Sequence, residues 1–239
     1  MMMQLPHKIT NWTTFWQANP TGFNKVMQKS TSFFAKKIKS IFDLNQTDNI
    51  LDFGCGPGYL IELINEEVNS IHGVDISNKY IELCNTKFCN QKNISVSQIN
   101  AHHSLFPIKR KGLPINKIIV LSVLQYYPSL DAVKDLLNDL KRNTPSGTQC
   151  LIADIIPPNH HFFNDALSVF INSIKQNYFL SFLRFMFYVT FSNYKNLNQK
   201  ILKIDKLFFV EYAKNIDVEI LFIPAITLHP NRYSLIIKF

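Results

Sequence analysis

The stretch Ile50-Leu51-Asp52-Phe53-Gly54-Cys55-Gly56-Pro57-Gly58-Tyr59-Leu60 passes from a short apolar run, through three glycines, into a segment with helical periodicity. Glycine lets the backbone approach a ligand closely, and the start of the following helix adds N–H donors that no helical carbonyl uses. A nucleoside-bearing ligand is the natural occupant of such a turn. A second carboxylate, Asp75, closes the next apolar run, Ile71-His72-Gly73-Val74-Asp75-Ile76-Ser77, 19 residues beyond Gly56. An acid at that place accepts hydrogen bonds from ribose hydroxyls.

Outward from this stretch, apolar runs alternate with helical patterns. Strands are predicted at Ile50 to Phe53, Ser70 to Ile76, Ile94 to Ile99, Lys117 to Leu121 and Gln149 to Ile155, separated by crossover-length segments. That alternation predicts a parallel sheet with helices on both faces. Leu60, Ile61, Ile64 and Val68 form one apolar stripe, and Leu130, Val133, Leu137 and Leu140 another. Residues 1–48 read as a helical cap, with Trp12, Phe15, Trp16, Phe23, Phe33, Phe34, Ile38, Ile41 and Phe42 spaced mostly three or four apart. Pro157 and Pro158 stop the fifth strand, and residues 157–200 read as an inserted aromatic helical lid. Residues 201–239 carry a helix at Ile204 to Asn215 and strands at Val218 to Ile223 and Tyr233 to Phe239, expected as an antiparallel edge hairpin that completes a core begun at 49–156.

With 239 residues, 46% hydrophobic and 18% charged, the chain has the balance of a single globular unit and not of a disordered one. Its formal charge of +8 invites nucleic acid or anionic membrane as a partner, but the lysines are scattered from Lys25 to Lys214 instead of gathered in a block, which favours a general compositional bias. Cys55, Cys84, Cys89 and Cys150 show no CxxC spacing, so reduced thiols are expected, with neither a disulfide nor a zinc site. Met1 to Thr14 offers no apolar core behind a basic start, and a cytoplasmic protein is expected.

A bare GxGxxG would point to NAD as readily as to anything else. Here the spacing is GxGxG with an acid two residues before the first glycine, and the segment resembles motif I of the class I S-adenosylmethionine-dependent methyltransferases. The resemblance covers 49–156 well and the last 35 or so residues loosely. It implies an α/β fold with a Rossmann-like, mostly parallel sheet, which the C-terminal antiparallel edge hairpin completes; the N-terminal helical cap and the inserted helical lid match the family only in being variable. It also implies S-adenosylmethionine as cofactor and S-adenosylhomocysteine as product. Carried over by position, Asp52 would lie near the methionine amino group, while Gly54, Cys55, Gly56 and Gly58 pass their backbone along that moiety. Asp75 would hold the ribose, with Ile76 beneath the adenine. Asn100, Ala101 and His102 would border the adenine amino group where the family often has an Asp-Ala pair; Asn100 departs from that pattern, although its amide oxygen still accepts a hydrogen bond. Ser122, Val123 and Leu124 would border the reactive methyl. Taken singly, Asp52 reads equally as a loop brace, Asp75 as a turn residue and Cys55 as a small buried group. Their joint occurrence at successive strand ends, where open α/β sheets bind ligands, favours the cofactor.

Methyl transfer from a sulfonium is an in-line displacement, so the protein mainly supplies alignment and desolvation. A hydroxyl acceptor also needs a base, and His102, His103, His160 and His161 are candidates, His160 and His161 foremost because they begin the lid; adjacent histidines in a polar loop read equally as solvated. No metal is expected, since Asp154 is a lone acid and a hard cation prefers several oxygens. The lid residues Phe162, Phe163, Leu167, Phe170, Ile171, Ile174, Phe179, Phe182, Leu183, Phe185, Met186 and Phe187 predict a small lipophilic or aromatic acceptor, with contact to a membrane surface as a second role for the same segment. RNA or protein methylation, and cofactor binding without catalysis, stand as alternatives. The Asn-Pro-Pro-Tyr or Asp-Pro-Pro-Tyr signature of many base N-methyltransferases is absent after the fourth strand, and the sequence leaves the oligomeric state open.

Overall fold

A computed structural model describes residues 12–17, 24–100, 114–160, 162–191, 201–223 and 225–239. Seven strands form one sheet: β1 (Asn49–Phe53), β2 (Ser70–Asp75), β3 (Ile94–Gln98), β4 (Lys117–Leu121), β5 (Gln149–Ile155), β6 (Glu219–Ile223) and β7 (Tyr233–Lys238). Their spatial order is β3-β2-β1-β4-β5-β7-β6. The first five run parallel, and β7 pairs antiparallel with both β5 and β6. The hairpin is therefore at the edge as expected, with its second strand inboard.

Alternation along the strands divides the core between the two faces. Leu51 and Phe53 of β1, Ile118 and Val120 of β4, and Cys150 and Ile152 of β5 pack on one side with α5 (Leu130–Asn143) and α8 (Lys206–Ile216). Ile50, Ile119 and Leu151, one residue out of step, pack on the other with α2 (Asn24–Ile41), α3 (Tyr59–Ile64) and α4 (Asn78–Lys87). A period of two on β1, β4 and β5, with both faces covered, is what turns these central segments into continuous apolar runs.

Helix boundaries depart from the sequence reading at three places. Val68 is buried but lies beyond the end of α3. Leu130 is exposed and Leu136 takes its place in the α5 stripe, because the Ser129 hydroxyl accepts from Ala132 N–H and caps the helix with Leu130 on its open first turn. Ile41, at the end of α2, is also exposed. At the sheet end opposite the glycine loop, buried Lys117 ties α2 to the core, its ammonium donating to Phe42 O at 2.8 Å, to Asp43 O, and to Asp48 Oδ2 at 2.8 Å.

Helices α6 (Phe162–Lys175) and α7 (Phe179–Phe191) follow β5 and pack on each other, and α7 meets α2. With the short α1 (Trp12–Gln17) they stand over the carboxyl ends of β1 and β4, between which the strand order reverses. That reversal opens the crevice in which open α/β sheets take their ligands. Among the described residues no helix is long and apolar enough to cross a membrane.

Candidate functional site

At the end of β1 the chain turns sharply, and the N–H groups of Gly54 and Cys55 both donate to Val74 O, at 2.8 and 3.0 Å, fastening the loop to β2. Gly54 has φ +82, and a Cβ there would lie 2.5 Å from a Val123 methyl; Gly58 has φ +75, and a Cβ there would lie 2.7 Å from the Phe88 ring. The left-handed backbone and the close packing each require glycine at both places.

Asp75 closes this loop from the neighbouring strand. Its Oδ2 accepts from Gly56 N–H at 2.9 Å and its Oδ1 from Ser77 N–H at 2.8 Å. Asp52 is 2% exposed, and its Oδ2 has no hydrogen-bond partner. Burial first, and the neighbouring charge of Asp75 second, push the Asp52 carboxyl up to about 7. Burial also raises Asp75, against the three backbone N–H groups of Ser77, Gly56 and Ile76 that lower it. Two buried carboxylates side by side on the wall of one cavity are costly without a counter-charge. A bound cation would offset that cost. Cys55 plays a different part: the Cys84 thiol, then burial, hold its own thiol well above the ordinary range, and both sulfurs lie near Gly56 O, at 3.8 Å for Cys55 and 3.4 Å for Cys84. Both thiols pack the loop from within, and Cys55 also lines the cavity.

The carboxylates open into a cavity of about 570 Å³ that continues beneath α1, α2, α6 and α7. Asp52, Gly54, Cys55, Gly56, Asp75, Ile76, Asn100, Ser122 and Val123 line it; Gly58 stands just behind, and Leu124 turns away into the core at 3% exposure, leaving Gln125 and Tyr126 on the wall in its place. Ala101, His102, His103 and His161 lie outside the described residues. The far half is aromatic. Tyr126 is flanked by Trp12 at 4.7 Å and Trp16 at 5.4 Å between ring centroids, and Phe34, Phe182, Phe185 and Met186 complete that wall.

One polar cluster breaks this apolar half. Ser122 and Asp154 are non-glycine residues with φ +55 and +70 at the ends of neighbouring strands, Asp154 at the point where the β5–β7 register shifts, and the Ser122 hydroxyl donates to Asp154 Oδ2 at 2.6 Å. Thr227 Oγ1 donates to Asp154 Oδ1 at 3.0 Å, and Arg232 Nη1 to Asp154 Oδ2 at 2.8 Å. Arg232 also reaches Asp165 Oδ2 through Nε at 2.8 Å and Nη2 at 2.6 Å. His160 Nε2 meets the same oxygen at 2.9 Å and His229 Nδ1 at 3.4 Å, whereas Asp165 Oδ1 is buried without a partner. Burial opposes the Asp165 charge, but the His229 and Arg232 side chains outweigh it and hold its carboxyl below the usual range.

Asp154, a lone acid in the sequence, is thus joined by groups up to 78 residues away. His160, expected with His161 as a base, is fully enclosed behind Asp165 and off the cavity wall; among the described residues the histidine that lines the cavity is His229. Asp165, His229 and Arg232 were missed by sequence reasoning. The signal that could have found them is a charged residue embedded in apolar segments, Asp165 in the lid and Arg232 beside the last strand. Among the described residues no three His, Cys, Asp or Glu side chains gather as metal ligands do.

A family model described as a methyltransferase domain matches residues 24–200. Among curated proteins, ribosomal RNA small subunit methyltransferase A of Prochlorococcus marinus strain MIT 9301 is 39% identical over 64 residues, 26% of this chain and 23% of that protein. The chain therefore spans under a quarter of the length of the curated relatives it matches. Among solved structures, a protein of Methanococcus maripaludis described as an S-adenosyl-L-methionine-dependent methyltransferase superposes with a TM-score of 0.59 at 16% identity, over 99% of this chain and 97% of that one. The magnesium protoporphyrin IX methyltransferase of Synechocystis PCC 6803, solved with S-adenosylhomocysteine bound, gives 0.56 at 15% identity, over 95% and 94%. At these identities the likeness speaks for the fold.

Proposed function

The chain belongs to the methyltransferase-domain family and has the fold of its class I S-adenosylmethionine-dependent members, and from that premise we propose that it methylates a small lipophilic or aromatic acceptor. The observation that carries this reading is one continuous cavity with carboxylates at one end and an aromatic wall at the other. When bound, S-adenosylmethionine supplies an activated methyl on a sulfonium. The protein's own part is to hold, orient and dry. Asp52 offers its unpartnered oxygen to the cofactor's ammonium, Asp75 keeps the glycine loop in place and accepts from the ribose, and the aromatic wall excludes water from the acceptor half.

The charge of the wall narrows the acceptor further. Among the described residues that line the cavity, Asp52, Asp75, Asp135, Asp139, Asp154 and Asp165 face it together with one guanidinium, Arg232, and Asp139 also pairs with Arg142. In a chain of net charge +8, the described lining of the cavity is acidic. An RNA backbone or a free carboxylate would be repelled there, so an uncharged or cationic acceptor fits better. A panel of hydrophobic aromatic amines, alcohols and carboxylates, with release of S-adenosylhomocysteine as the readout, tests this. Turnover of amines or alcohols but not carboxylates is expected, and salt-sensitive turnover of RNA in preference to all of them would overturn the small-molecule reading.

Two further outcomes follow from the same wall. Phe182→Gln and Met186→Gln should lower acceptor turnover by about tenfold or more while leaving S-adenosylhomocysteine affinity within about twofold, in variants whose melting shows them folded. Unchanged turnover would mean that these side chains only pack. Because Asp52 sits near 7 in the free protein and a bound cation favours its ionised form, cofactor binding should release protons near and below pH 7 and tighten as pH rises from about 6 to 8. Calorimetry in buffers of different ionisation enthalpy should show that release, and Asp52→Asn should abolish it.

A further inference from the structure

Helices α6 and α7 have apolar side chains on both faces. Their inner faces are accounted for: Val169, Phe182, Phe185 and Met186 pack with Val26 of α2 and line the cavity. Their outer faces are not. On α6, Phe163, Leu167, Ile171 and Ile174 are 76%, 45%, 43% and 53% exposed, and they recur at intervals of four, four and three, a single stripe. On α7, Leu180 and Leu183 add 72% and 46%. A helix apolar all round is a buried helix or one that meets lipid, and scattered surface leucines do not line up in this way.

The charges around the stripe say what covers it. Between Phe162 and Phe191 the only acid is Asp165, which is buried with Arg232, while Lys175 and Arg184 are both exposed. Helix α2, packed beside α7, carries Lys25, Lys29, Lys36 and Lys37 and no acid of its own, while its Lys39 pairs with Glu67. A second copy docked face to face would set these cations against one another, an arrangement that symmetric pairs avoid. An anionic bilayer surface offers both apolar depth for the stripe and negative headgroups for the lysines.

We propose that the outer face of α6 and α7 lies in the interface of an anionic membrane, with the lysines of α2 at headgroup level. Neither helix spans the bilayer; α7 has only 13 residues. The orientation sets the lid, beneath which the acceptor half of the cavity lies, directly on the lipid, the phase where a lipophilic acceptor partitions. The inference rests on exposure and charge and stands independently of the acceptor's identity.

Co-sedimentation of the full chain with phosphatidylcholine vesicles, with and without about one-third phosphatidylglycerol, tests it. Binding is expected to the anionic vesicles, weakening as salt is raised. The outer-face pair Ile174→Ser with Leu180→Ser should lower that binding by about tenfold or more, with melting temperature and S-adenosylhomocysteine affinity unchanged. The charge pair Lys175→Glu with Arg184→Glu should lower it on anionic vesicles by a similar factor, and serves if the first pair is poorly folded. Failure of the wild-type chain to bind either vesicle would overturn the proposal, as would a concentration-dependent dimer that the serine pair abolishes. A chain that binds vesicles but not S-adenosylhomocysteine would leave this inference standing and remove the functional one.

Discussion

Asp75→Ala is expected to weaken S-adenosylhomocysteine binding by about a hundredfold. A hydrogen bond to a charged acceptor is worth about 1.5–3 kcal/mol, so loss of a ribose contact alone costs roughly tenfold or more. The rest comes from the loop. Asp75 accepts the Gly56 and Ser77 N–H groups, and without it both donors lose their partner just where the backbone must lie along the ligand. The stability change should be smaller than the binding change, because alanine also relieves a carboxylate whose ionisation burial opposes. One consequence is specific: with the Asp75 charge gone, one of the two causes holding Asp52 near 7 disappears, and proton release on binding should move to lower pH. Calorimetry at two pH values reads both effects, and a loss of less than about threefold would mean that Asp75 braces the turn without touching the ligand.

Arg232→Met should be the most destabilising single change at the acceptor end, by about 3–5 kcal/mol, because it leaves Asp154 and Asp165 buried without their shared counter-charge. For a chain of this size that is roughly 10 °C in melting temperature. The pH dependence has a definite sign. In the wild-type protein Asp165 is held below the ordinary carboxylate range, so its contribution is present above the unfolded-state pKa of about 3.9 and is lost as pH falls through the lower folded-state value. Without Arg232 the folded-state pKa of Asp165 rises. The variant's deficit should therefore shrink on mild acidification, when a protonated Asp165 no longer needs a counter-charge. Thermal melts of both proteins between about pH 5 and 8 check this, and a variant within about 1 kcal/mol of wild type throughout would show that the two charges are compensated by other groups.

The two halves of the cavity were unequally legible in the sequence. The cofactor half is local: Asp52 and the glycines are consecutive, and Asp75 is on the next strand, so spacing alone brings them together. The strands are legible for the same reason, since apolar runs such as Lys117 to Leu121 are bounded by polar turns and covered on both faces. The acceptor half is assembled from a long way off. Ser122, Asp154 and Asp165 come from three separate segments and Thr227 and Arg232 from a fourth, and they meet only because β7 inserts between β5 and β6 and sets Arg232 beside the Asp154 bulge. Adjacent histidines drew the base assignment to His160 and His161; the His160 ring is enclosed against Asp165, while His229, in the turn before β7, faces the cavity. The lid's aromatic content was visible, but which residues face the cavity and which face outward depends on how α7 meets α2, and a helix apolar all round carries no periodicity from which to read it.

The central claim is that the buried carboxylates on the cavity wall receive the cationic sulfonium cofactor and not a dinucleotide. Titration of the wild-type protein with S-adenosylmethionine, S-adenosylhomocysteine and NAD in one calorimetric series tests it directly. The account predicts one-to-one binding of the first two, with proton release near pH 7 and no measurable binding of NAD. Preferential binding of NAD, or binding of S-adenosylhomocysteine that Asp52→Asn and Asp75→Ala leave untouched, would contradict it.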